Sequence, residues 1–155
     1  MPINETNEKR FESDIESFFL SERGGYTKNT DTYNTKYALY LDTLIRFVKA
    51  TQPKEWKRFE MQNSTGTEEK FARAFQNACD MDGVLSVLRN GFKHRGIVFH
   101  VCYFKPESTL NQTAVTQYSA NEITVNRQWY YSADNKNSVD MVIAVNGIPV
   151  FAFEL

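Results

Sequence analysis

A chain of 155 residues and 18.0 kDa can build one compact domain with a core, and is too short for a motor, a carrier and a catalytic head together. Lys+Arg 18 against Asp+Glu 19 leave a formal charge of -1, so no global positive excess advertises nucleic acid and any anion-binding surface must be local. A hydrophobic share of 41%, with 12 Phe and 8 Tyr, excludes disorder for most of the chain.

The chain is read as a single domain over 1–155, with a helical part over about 1–92 and a strand-rich part over about 96–155. Phe11, Ile15, Phe18 and Phe19 fall on one face of a first helix, which Gly24-Gly25 stops. Tyr37, Leu41, Leu44, Ile45 and Val48 repeat that spacing in a second helix, and Pro53 suits the first turn of a third that carries Trp56 and Phe59. Thr67 is placed to cap a fourth helix with Glu68 and Glu69 in its first turn and Phe71, Ala74, Phe75 and Ala78 as its buried stripe. A short helix from Gly83 to Asn90, closed by Gly91, ends the helical half.

Past that point the period changes. Residues 97–104 and 123–131 are rich in branched and aromatic side chains, and 139–145 and 148–153 flank Asn146-Gly147 as a hairpin. Residues 105–118 read as a long polar connection. The order of elements predicts an α/β fold, and the apolar hairpin predicts a sheet covered on both sides. The apolar runs 141–145 and 148–153 are far shorter than the ~20 residues of a bilayer span. With a polar first ten residues in place of a secretory signal, the expectation is a cytoplasmic product. Cys79 and Cys102 lack the short spacing of a zinc site and are expected to be buried, reduced thiols.

Two acids stand out, Asp140 inside one strand of the hairpin and Glu154 at the end of the other. Burying a carboxylate is costly unless it is paired, hydrogen-bonded or bound to a metal. If Asn146 and Gly147 alone form the loop, Val145 pairs with Ile148, Asp140 opposes Phe153 and Glu154 points to the other face. If Val145-Asn146-Gly147 form a bulged three-residue loop, Asp140 opposes Ala152 and becomes a diagonal neighbour of Glu154 on one face. Pro149 cannot donate to a ladder and fits better beside a bulge, so the second register is preferred. It also sorts side chains by size, with Met141, Ile143, Phe151 and Phe153 on the far face and Val142, Ala144, Val150 and Ala152 beside the acids.

Several blocks in order, Phe11-Glu12, Gly24-Gly25-Tyr26, 50–56, 87–93, 103–106, Asn121 to Gln128, 137–140 and Asn146 to Val150 with Glu154-Leu155, resemble the amino-terminal nuclease domain of the restriction (motor) subunit of type I restriction-modification enzymes. The resemblance implies a restriction-endonuclease-like core of the PD-(D/E)xK kind, with a mixed β-sheet flanked by helices. It maps Asp140 and Glu154 onto the acids that hold Mg²⁺ and act in catalysis. The motif lysine would follow Leu155, so the fragment is expected to be inactive alone. A further metal-side acid would come from the first helix, Glu8 first and Glu12 second. ATP would enter through motor domains, and the partners would be double-stranded DNA and the methylation and specificity subunits.

Hard oxygen donors in a sparse Asp/Glu pair suit Mg²⁺ and phosphodiester hydrolysis better than zinc chemistry. Arg89, Lys93, His94 and Arg95 form a basic cluster, in which Arg89, Lys93 and Arg95 are candidate phosphate contacts; a solvated turn accounts for it nearly as well. Arg127 and Gln128 belong to the resemblance and are candidates for orienting nucleic acid. The rival class is a non-catalytic DNA-binding or subunit-docking module with the same fold, whose acids only stabilise it.

Overall fold

The computed structural model describes residues 2–155, with side chains from Asn7 onward. The chain divides into two compact units, one of Met1–Tyr40 with Glu122–Leu155 and one of Leu41–Asn121.

In the unit Leu41–Asn121, helices α2 (Leu41–Thr51), α3 (Pro53–Gln62), α4 (Thr67–Asp82) and α5 (Val84–Asn90) precede a hairpin of β1 (Phe92–His94) and β2 (Ile97–Phe99), then α6 (Gln112–Ser119). Most of the expected stripes are buried, Leu44, Ile45 and Val48 on α2, Trp56 and Phe59 on α3, Phe71, Ala74 and Phe75 on α4, whereas Leu41 and Ala78 are half-buried and Tyr37, expected on the second helix, precedes it. Phe59, Phe71 and Phe99 meet nearly edge to face at 5.2–5.7 Å, a geometry worth about 0.5–1.5 kcal/mol per pair beyond the area buried. Gly91 follows α5 at φ 72, where an added Cβ would stand 2.1 Å from the Phe99 carbonyl oxygen, so only glycine fits.

Three details differ from the sequence reading. Thr67 does not cap α4; Gly66 does, at φ 62, while the Thr67 hydroxyl donates to the Asn63 carbonyl. The strand expected over 97–104 ends at Phe99, because the Gln52 side chain takes the place of a neighbouring strand. Its Oε1 accepts from His100 N at 2.7 Å and its Nε2 donates to His100 O at 2.8 Å. The long polar connection holds α6, which Asn111 caps by accepting from Ala114 N, and no residue of α6 is buried, so no apolar stripe announced it. Cys79 and Cys102 are free and half-buried; burial, with Asp80 adding to it, pushes the Cys79 thiol up to about 11.

The other unit carries α1 (Pro2–Leu20) and a three-stranded antiparallel sheet ordered β3 (Ile123–Tyr130), β4 (Ser138–Val145), β5 (Ile148–Phe153). The expected mixed sheet is not formed among the described residues, since every strand pair is antiparallel and the one parallel contact is an isolated bridge from Thr27 to Thr124 on β3. Asn126 holds that approach, its Oδ1 accepting from Asn29 N and its Nδ2 donating to Asn29 O. The expectation of cover on both faces fails at β5, where Val150 and Phe151 are 41% and 61% exposed on the outer strand.

The buried face of α1 is also not the one that hydrophobicity alone selects. Phe11 and Phe18 are 55% and 56% exposed, whereas Glu12 is 3% exposed. The inward stripe runs Glu12, Ile15, Glu16, Phe19, spaced i, i+3, i+4, i+7, and shares only Ile15 and Phe19 with the expected one. An ion pair to β3, described below, sets that face.

Gln52→Leu is expected to lower stability by about 1–3 kcal/mol, since it strands the His100 backbone N–H and C=O in a buried place. Gln52→Glu, which keeps the acceptor and loses the donor, should fall between the two. Urea unfolding midpoints measure both, and an unchanged midpoint for Gln52→Leu contradicts the strand-surrogate role.

Candidate active site

The corner between β4 and β5 is the two-residue loop, with Asn146 at φ 51 and Gly147 at φ 84 and Val145 paired with Ile148. Positive φ at both central residues is the primed hairpin turn that Asn-Gly favours. Asn146 is further fixed because its N donates to Glu122 O and its Oδ1 accepts from Glu122 N, each at 2.8 Å. The preferred three-residue corner is therefore not formed.

Unbroken pairing from this corner would set Asp140 against Phe153 and turn Glu154 away. The ladder instead shifts one place inside β5: Ala144 pairs with Pro149 but Ile143 with Phe151, leaving Val150 as the extra residue of a bulge. Beyond it Val142 faces Ala152 and Met141 faces Phe153, where the ladder ends; continued by one step, the same alternation would set Glu154 against Asp140. On that continuation the two acids would share a face as direct neighbours, where the preferred register makes them diagonal ones. Pro149 stands beside the bulge, where its missing N–H costs least. Met141, Ile143, Phe151 and Phe153 fall together on the far face, as the size sorting requires.

Asp140 is half-buried and Glu154 exposed, so neither is the deeply buried carboxylate that the apolar strands suggested. Asp140 is nonetheless held, its Oδ2 accepting from Leu155 N at 2.7 Å. Across on β3, Arg127 pairs with Met141 and Trp129 with Val139, while Gln128 between them has φ 51. A glutamine in the left-handed region costs about 1–3 kcal/mol, and such strain concentrates where surrounding structure overrides it. Gln128 Nε2 points toward Glu12 Oε2 at 3.4 Å, and its Oε1 accepts from the Ser138 hydroxyl at 3.5 Å.

Glu12 receives a charge-assisted bond of 2.8 Å from Arg127 Nη2, which also approaches the Lys9 carbonyl at 3.5 Å. This pair explains the rotation of α1, since a buried carboxylate needs its cation more than Phe11 needs cover. Glu8, Lys9, Glu12, Arg127, Gln128 and Asp140 line one cavity of about 340 Å³. Both proposed N-terminal acids thus reach the pocket, Glu8 exposed and Glu12 already committed to Arg127. Glu154 is not part of that lining, and among the described residues no three His, Cys, Asp or Glu side chains are gathered as a metal site.

Arg89 on α5, Lys93 on β1 and Arg95 in the β1–β2 turn are exposed on the unit Leu41–Asn121, and His94 between them is half-buried against Phe59. Lys9 and Ser138 were missed by sequence reasoning. Only the helical spacing of Lys9 from Glu12 could have pointed to it, and Ser138 carries no signal of its own.

Among the described residues, six helices with two small antiparallel sheets make an α/β domain of the restriction-endonuclease-like kind. Residues 52–155 match the family model described as type I restriction enzyme R protein N terminus, and the chain belongs to that family. The blocks around Phe11 and Gly24-Gly25 lie ahead of the matched span. Neither a curated protein nor a solved structure matches the chain significantly. Among the described residues, no helix is long and apolar enough to cross a membrane.

The register is testable by a two-histidine metal clip. Asp140→His with Glu154→His should bind Ni²⁺ measurably more tightly than either single variant, whereas Asp140→His with Phe153→His should gain nothing over Asp140→His. Calorimetric titration reads both, and the reverse ranking would place Glu154 on the opposite face.

Proposed function

We propose that this domain is the nuclease of a type I restriction endonuclease, cutting unmodified double-stranded DNA by Mg²⁺-dependent phosphodiester hydrolysis inside an ATP-driven complex. The methylation and specificity subunits are its partners there, ATP acts through motor domains, and the setting is the cytoplasm. The observation that supports this reading is the shifted β4–β5 register, which, carried one residue past Phe153, would set Glu154 against Asp140.

The donor chemistry fits a hard divalent cation. Asp140 and Glu154 offer carboxylate oxygens, and Mg²⁺ typically takes only one or two carboxylates and keeps water and phosphate oxygens as its other ligands. Lys9 and Arg127 set against Glu8, Glu12 and Asp140 leave the pocket with one net negative charge, which a divalent cation turns into one net positive, matched to one phosphodiester. Bound there, Mg²⁺ would supply charge stabilisation at the scissile phosphate and a more acidic attacking water. The chain's own contributions are positional. Leu155 N–H orients the Asp140 carboxylate, and Arg127 and Lys9 supply cations at the pocket wall. The family's motif lysine would fall at the first position after Leu155 and assist the water.

The docking-module reading draws support from Glu154 standing outside the pocket lining and from Glu12 being spent on Arg127. The two readings part on one assay. With the full-length polypeptide, Mg²⁺-dependent nicking of supercoiled DNA should fall at least ~100-fold in Asp140→Ala and in Glu154→Ala, a loss of about 2.7 kcal/mol in transition-state stabilisation. Normal cutting by both variants, or none by the parent protein, favours the docking module.

A further inference from the structure

The acid that the first helix presents to the pocket already carries a cation, the Arg127 guanidinium, on its Oε2. Glu12 is 3% exposed, and its Oε2 receives Arg127 Nη2 at 2.8 Å and lies 3.4 Å from Gln128 Nε2. Arg127 keeps 26% of its side chain exposed, its Nε is buried with no hydrogen-bond partner, and the residue lines the same cavity as Asp140. A planar guanidinium with one edge pinned by a carboxylate and further donors unspent is preorganised to donate to a phosphate oxygen. Gln128, opposite Asp140 and in the left-handed region, is held by Glu12 on one side and Ser138 on the other.

We infer that Glu12 is a positioning residue and not a metal ligand: its buried carboxylate sets Arg127 and Gln128 at the wall of the Asp140 pocket, where Arg127 binds one backbone phosphate of nucleic acid. This rests on the nuclease reading of the pocket and adds to it the phosphate-binding group and the residue that aims it. A metal ion in this place would have to share a carboxylate already neutralised by Arg127 and sit beside that guanidinium, whose positive charge repels a divalent cation. Lys9, whose backbone carbonyl also faces Arg127, adds a second cation on the same wall.

The test uses the full-length polypeptide and a DNA duplex in Ca²⁺, so that binding is read without cutting, with Mn²⁺ affinity measured separately by electron paramagnetic resonance. Arg127→Gln should weaken DNA binding about tenfold and lower the slope of log affinity against log salt by about 0.9, the signature of one lost phosphate contact. Glu12→Gln should do the same, and the double variant should be no worse than either single, since the two act as one unit. Mn²⁺ affinity should change less than twofold in all three, while Asp140→Asn should weaken it at least tenfold. If Glu12→Gln does not fold, Glu12→Asp and Arg127→Lys keep both charges and should each show a partial loss of DNA affinity with an unaltered salt slope. A fall in Mn²⁺ affinity in Glu12→Gln equal to that in Asp140→Asn overturns the inference, as do unchanged DNA binding in Glu12→Gln or fully multiplicative losses. Failure of the nuclease reading shows separately, as undiminished Mg²⁺-dependent nicking by Asp140→Asn, because the salt slope and the coupling are measured without cleavage.

Discussion

One extra residue in an edge strand, Val150, decides what the end of this chain can do. The Asn146-Gly147 turn is chosen by local chemistry, positive φ at both positions and a paired clasp to Glu122, and that turn alone sends Glu154 to the face away from Asp140. Because side chains alternate along a strand, a single unpaired residue reverses the face of everything beyond it. The bulge at Val150, three residues past Gly147, makes that reversal, and the Leu155 amide on Asp140 Oδ2 then holds the strand end in place.

Around Asp140 the unit of Met1–Tyr40 with Glu122–Leu155 gathers features that stability alone would not select. A glutamine sits in the left-handed region, a glutamate is buried on a helix whose Phe11 and Phe18 face solvent, and a guanidinium nitrogen is buried without a partner. Each is individually costly. Their convergence on one cavity of about 340 Å³ is the pattern of a site held for chemistry, whereas the Phe59, Phe71 and Phe99 cluster in the other unit shows the same chain packing apolar rings in ordinary edge-to-face order.

Much of the fold could be read from the residues. The helices over Leu41–Asn90 follow apolar spacing and Gly/Pro punctuation, and the hairpin 138–153 follows its branched runs and Asn-Gly. What failed was governed by polar side chains acting at a distance. Gln52 truncates β2 by pairing with His100, 48 residues away, and Glu12 rotates α1 by pairing with Arg127, 115 residues away. No periodicity carries such information, since both partners are unremarkable until the chain brings them together. Within the candidate site, Asp140 was legible as a lone acid in an apolar strand, and Arg127 and Gln128 through family likeness. The bulge that aligns Glu154 was foreseen as a need and misplaced at the corner, because Pro149 signals an irregularity nearby without fixing which residue is left unpaired.

Asp140 and Glu154 are proposed to face one another closely enough to share one divalent ion. Crystals of the protein soaked in Mn²⁺ and measured at the manganese absorption edge test it directly. The expected result is a single anomalous peak within ~2.5 Å of a carboxylate oxygen from each acid, the range of hard-cation coordination. A peak bound by one acid with the other on the opposite face of the sheet, or no peak at either, contradicts it.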